Sequence, residues 1–137
     1  GRMADWAQTH PWPDHIWAGT SVESAKYLPR LDVLARVPAR VRFVSCEPLL
    51  DPLDLRPYLR LYGQLPGIME PFRLVNWVIV GGESGPGFRP MNLEWLENIV
   101  VQCKEAGVPC FVKQASSLRP GQQGRIPDAL WALKETP

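Results

Sequence analysis

An α/β fold on a parallel sheet, with about four βα units making half of a TIM-barrel-like partial barrel, is predicted for this 137-residue chain by two observations. The first is the recurrence of short apolar runs, rich in β-branched and aromatic residues and each closed by turn or helix-start residues. The second is the alternation of those runs with helical patterns over short links, which requires right-handed βαβ crossovers and hence parallel strands.

Residues 2–9 carry Met3, Trp6 and Ala7 in a short helical pattern that stops before His10-Pro11-Trp12-Pro13. The first strand follows at 16–23. A helix is predicted over 29–37, with Leu31, Leu34 and Val37 at helical spacing, Pro29 tolerated in the first turn and Pro38 ending it. The second strand covers 41–47. Residues 53–62 hold a short helix, and 63–72, crowded with glycine and proline, form an inserted loop. The third strand covers 77–83 and leads into Gly81-Gly82-Glu83-Ser84-Gly85-Pro86-Gly87. The clearest helix comes next: Asn92 caps it, Leu93, Leu96, Ile99, Val100 and Cys103 form one apolar stripe, and Gly107 ends it. A fourth strand at 110–114 precedes a tail, 116–137, that packs through Leu130 and Trp131. The length suits a single domain spanning 1–137.

The strands end alike. Side chains alternate across a strand, so Ser21 shares a face with Glu23, Ser45 with Glu47, and Gly81 with Glu83. Parallel strands then bring Glu23, Glu47, Glu83 and Lys113 to the carboxyl edge of the sheet, where such folds place their sites. These are the candidate catalytic residues. The carboxylates have the chemistry for general acid or base work, for anchoring an amine or for binding a hard metal. The competing reading of any single acid is a helix cap or an arginine pair. Lys113 is suited to neutralising the acids or holding an anionic substrate, and equally to a structural pair with Glu83.

Ser21, Ser45, Gly81, Gly82, Ser84, Arg89 and Gln114 are the candidate ligand-binding residues. Small residues beneath the acids leave room, and the glycine-rich loop allows close backbone approach without a Walker lysine-serine pair or a dinucleotide fingerprint. Arg89 has the fork that binds carboxylate or phosphate.

Other classes are disfavoured. With 15 basic and 14 acidic side chains the net charge is +1, so there is no strong nucleic-acid signal. No apolar stretch approaches the roughly 20 residues that span a bilayer and no signal peptide is evident, so no membrane partner and a cytoplasmic location are expected. Cys46, Cys103 and Cys110 are odd in number, fit no familiar metal spacing and are expected as buried thiols. His10 and His15 flank prolines and cannot pair on a helical face, so no metal site is assigned. The six tryptophans are expected mostly as core or packing residues.

The segments Trp17-Ala18-Gly19-Thr20-Ser21-Val22-Glu23, Val41-Arg42-Phe43-Val44-Ser45-Cys46-Glu47-Pro48-Leu49-Leu50, Trp77-Val78-Ile79-Val80-Gly81-Gly82-Glu83-Ser84-Gly85-Pro86 and Phe111-Val112-Lys113-Gln114 resemble a phage-associated family of unknown function, phage protein gp-thirty-seven/gp-sixty-eight. The likeness extends to Arg89-Pro90-Met91 and Ile126-Pro127-Asp128. Full-length members of that family look like radical S-adenosylmethionine enzymes with a cysteine triplet for an iron–sulfur cluster in an amino-terminal half. This chain matches only the carboxyl-terminal half and has no such triplet. The resemblance therefore implies S-adenosylmethionine and a cluster for a full-length parent, no cofactor held by this chain, and Glu23, Glu47, Glu83, Lys113 and Gln114 lining the mouth of the barrel toward an unknown small-molecule substrate.

A half-barrel of this kind exposes two strand edges, so a missing amino-terminal half or a homodimer partner is expected. The start at Gly1-Arg2 is consistent with truncation, processing or cloning residues before Met3. A non-enzymatic binding or assembly module, or a prophage remnant dimerising through its open edges, is the alternative. A metal-dependent hydrolase built on the three carboxylates is opposed by the lack of a histidine beside them.

Overall fold

A computed structural model describes residues 1–63 and 70–137. Strands β1 (Ala18–Ser21), β2 (Arg42–Cys46), β3 (Trp77–Gly81) and β4 (Cys110–Gln114) form one sheet in the order β1-β2-β3-β4, and every neighbouring pair is parallel. The fold is thus α/β with a parallel sheet that does not close, as in a partial barrel. Helices α1 (Arg2–Ala7), α2 (Pro29–Leu34), α3 (Arg56–Leu59), α4 (Leu93–Ala106) and α5 (Asp128–Trp131) complete it. Parallel crossovers share one hand, and when strands are added in one direction that hand puts every crossover helix on the same face.

Strand alternation fixes what each face carries. Val44, Cys46, Val78, Val80, Cys110 and Val112 are buried in the core under the helices. Helix α4 adds Leu96, Ile99, Val100 and Cys103, and burying a large aliphatic side chain of this kind contributes about 1.5–3 kcal/mol. Asn92 Oδ1 accepts the Glu94 amide at 2.8 Å, and Gly107, at φ 65°, turns the chain out of the helix. The opposite sheet face, bearing Phe43, Ser45, Trp77, Ile79, Phe111 and Lys113, lines an open cavity of about 600 Å³.

Arg42 ties the amino-terminal end of the sheet together. Its guanidinium donates to the carbonyls of Val37, Ala39, Leu74 and Arg73 at 2.7–3.2 Å. Arg73 in turn donates to the carbonyls of Leu59 and of Ala106 at the end of α4, where a cation also complements the helix dipole.

Several expectations are corrected. The strands are shorter than predicted, so Glu23, Glu47 and Glu83 lie on the loops beyond them. The second helix is regular only to Leu34, because the chain tightens into an i to i−3 turn, Val37 N to Leu34 O, ahead of Pro38. The predicted 63–72 loop falls mostly on residues 64–69, outside the described residues; at its base Tyr62 pairs with Phe72 in an antiparallel bridge. Of the tryptophans, Trp12, Trp95 and Trp131 pack against the core while partly buried, whereas Trp6 and Trp17 are exposed.

The tail also changes the edge count. Val112 N donates to Leu133 O at 2.9 Å and Glu135 N to Cys110 O at 3.2 Å, so the chain returns antiparallel along β4 and covers that edge. Among the described residues only β1 keeps an outer edge without a backbone partner.

Candidate functional site

Glu47 follows β2 and Lys113 lies in β4, with β3 between them. Because β3 ends at Gly81 and Gly82 follows it, the chain between contributes no side chain at this level, and the two charges meet across it: Lys113 Nζ is 2.9 Å from Glu47 Oε2 and 3.1 Å from Oε1. The structural pairing foreseen for Lys113 was with Glu83; its partner is Glu47.

Gln114 lies below this pair, 2% exposed, with its amide fully used. Nε2 donates to Glu47 Oε1 at 3.0 Å and to Gly82 O at 2.9 Å, while Oε1 accepts the Gly121 amide at 2.9 Å. Glu47 is therefore held from two sides, its side chain 16% exposed, whereas the Lys113 side chain is 51% exposed and keeps donors free toward solvent.

The other acids have separate partners. Arg89 grips Glu83 with Nε and Nη2 at 2.9 and 2.6 Å and adds its backbone N–H at 2.7 Å. Those hydrogen bonds pull the Glu83 carboxyl from the ordinary 4.5 down to about 2. Glu23 pairs with Arg30 at 3.2 Å, and the same guanidinium nitrogen donates to Ser21 O at 2.8 Å. Each of the three acids is thus neutralised by its own cation. Among the described residues no group of three or more His, Cys, Asp and Glu side chains is arranged to hold a metal.

Ser45 lines the open cavity, whereas Ser21 is exposed on β1. The glycine-rich loop is bound to the chain after β4: Gly82 N donates to Gln114 O, Ser117 N to Glu83 O and Gly85 N to Ser117 O, and Ser84 bridges Ser117. The amides of Gly82 and Gly85 are thereby committed within the protein. Gly82 has a steric reason to be glycine, since a Cβ there would run into the Ser116 backbone.

The sequence reading passed over the floor of the cavity. Phe43, Trp77 and Phe111 lie on the open face, with Trp77 5.6 Å from Phe43 and 6.4 Å from Phe111 between ring centroids. The tail supplies a wall through Trp131, Lys134 and Thr136. The signal was available in the alternation that places Phe43 on the same side as Ser45 and Glu47, and Phe111 on the same side as Lys113.

The thiols of Cys46, Cys103 and Cys110 are all buried, and all three residues belong to the hydrophobic core. Burial pushes the Cys46 thiol up, and Cys103 is raised first by its hydrogen bond to Cys110 and then by burial. They sit on two strands and a helix, away from the open mouth, and do not fit the ligand set of an iron–sulfur cluster.

An unclosed parallel sheet with its crossover helices on one face and a charged pair at its carboxyl edge makes an α/β fold like part of a barrel. Residues 1–129 match the profile of "Protein of unknown function (DUF5131)", and the chain belongs to this family of uncharacterised proteins. Comparison with curated proteins and with solved structures gives no match. Among the described residues no helix is long and apolar enough to cross a membrane.

Proposed function

We propose that this chain is the substrate-side, carboxyl-terminal half of a radical S-adenosylmethionine-like partial barrel in a phage-related protein. The observation that carries this reading is the uncovered face of an all-parallel sheet, a surface that folds of this class normally bury. The crossover helices occupy the other face, and the open one, walled on one side by Trp131 and Lys134 of the tail, presents aromatic rings beside the Glu47–Lys113 pair. In such an assembly the second half would cover the open face and carry the cluster and S-adenosylmethionine. Glu47 and Lys113 would then face a small-molecule substrate, held in place by Gln114.

Because this chain's thiols are unsuited to a cluster, it is silent in radical chemistry by itself. Anaerobic reconstitution with iron and sulfide tests this. The expected result is no bound cluster and no reductive cleavage of S-adenosylmethionine; a four-iron cluster that cleaves it overturns the reading.

The edge of β1, which pairs with no second strand among the described residues, favours a second reading, a non-enzymatic assembly module that pairs through that edge as a homodimer. Light scattering after size exclusion distinguishes the two, since a stable dimer abolished by Gly19→Pro on β1 would support the module.

A further inference from the structure

We infer that the open-face cavity takes a planar aromatic small molecule bearing one anionic group, with its ring over Trp77 and Phe111 and its charge at Lys113. This rests on the reading of the open face as a ligand surface and specifies what that surface selects.

Shape comes first. The cavity of about 600 Å³ is walled by Phe43, Trp77, Ile79, Phe111 and Trp131, so most of its area is apolar and much of it consists of ring faces and edges. Rings in offset or edge-on contact gain more than burial alone provides, which favours a flat ligand over an aliphatic one. The indole N–H of Trp77 is already bound to Glu135 O at 2.9 Å, leaving the ring rather than its polar atom to meet a ligand.

Charge then selects the sign. The lining contains two ammonium groups, Lys113 and Lys134, and one carboxylate, Glu47. Glu47 is engaged by Lys113 and Gln114, so its capacity to attract a cation is largely spent. Lys134 lies 3.5 Å from the Trp131 ring centroid and donates to Val112 O, and those contacts fix it in place. With Lys113 matched by Glu47, the lining keeps one positive charge in excess through Lys134, and Lys113, half-exposed, is the ammonium with donors left over from its pair. Ser45, which lines the same cavity, supplies a hydroxyl donor as well. A carboxylate, sulfonate or phosphate on a flat ring satisfies all of these features.

The test uses the whole chain and three probes that share one ring system: naphthoate, naphthylmethanol and naphthylmethylammonium. Shifts of the tryptophan indole N–H signals are followed by NMR, with Trp77 assigned through Trp77→Phe. Naphthoate is expected to move the Trp77 signal and to bind about tenfold more tightly than the cationic probe. Lys113→Gln is expected to remove that preference while leaving binding of the neutral probe unchanged. Equal binding of all three probes overturns the anionic class yet leaves the open face a ligand surface. No shift at Trp77 with any probe overturns both. The comparison of probes on the unaltered chain stands without any variant, and Lys134→Gln, which removes the other ammonium of the lining, is expected to weaken naphthoate binding less than Lys113→Gln does; a larger loss would move the anion site from Lys113 to Lys134 and overturn the assignment.

Discussion

Glu47, just past β2, and Lys113, in β4, belong to strands that do not touch, yet Lys113 Nζ lies 2.9 Å from Glu47 Oε2 because the strand between them ends at Gly81 and is followed by Gly82. The contact depends on what β3 lacks. It also divides the site into an exposed part, Lys113, and a buried part, Gln114, and the two should respond differently to substitution.

Lys113→Gln should cost about 1 kcal/mol or less, because a half-exposed ammonium gives up a solvent-screened pair. Gln114→Leu should cost about 2–3 kcal/mol, since it strips partners from Glu47 Oε1, Gly82 O and the Gly121 amide in a buried setting. Urea unfolding of both variants checks the order, and a reversal would show that the lysine holds the site together.

Glu83 makes stability depend on acid in a defined direction. Its carboxyl is lowered in the folded chain, so its contribution is complete above the ordinary 4.5 and is lost as pH falls toward about 2. Glu83→Gln should flatten that part of the stability profile while the rest follows the parent. Unfolding midpoints measured across the interval give the difference directly.

Two glycines should separate by what stands beside them. An added Cβ at Gly82 meets the Ser116 backbone, which cannot swing aside, so Gly82→Ala should cost about 3 kcal/mol or more. At Gly19 it meets the Phe43 ring, a side chain free to turn toward the cavity, and Gly19→Ala should cost about 1–2 kcal/mol. Tryptophan fluorescence should change in the Gly19 variant, because Phe43 packs against Trp77.

Arg42→Met should cost about 2–4 kcal/mol by leaving the carbonyls of Val37, Ala39, Leu74 and Arg73 without their shared donor. Arg42→Lys should recover only part of this, since an ammonium cannot span the same fork. Thermal unfolding of the pair is the measurement.

Deleting residues 132–137 should expose the outer side of β4 and promote self-association. Light scattering on the shortened chain should report oligomers where the full chain shows fewer.

The parts of the fold that were legible in the sequence are those with local causes. Runs such as Trp77-Val78-Ile79-Val80 announce a buried strand, and Asn92 and Gly107 bracket α4 as a cap and a left-handed stop should. Alternation also gave the side on which Ser45 and Glu47 lie. What remained hidden has distant causes. Leu133 and Glu135 hold β4 through backbone groups that any side chain could supply. Arg42 looks like an ordinary exposed cation until the chain near residue 74 folds back to it. Strand parity showed that three acids share a kind of position, but their partners Arg30, Lys113 and Arg89 come from a helix, a strand and a loop, and those pairings decide how the acids are used.

The tail that runs beside β4 gives the domain a direction. One flank has a terminator and the other, at β1, has none, so further strands can be recruited on a single side only. A neighbour approaching from the sealed flank must first peel the tail away, whereas one arriving at β1 meets an edge that no other strand occupies.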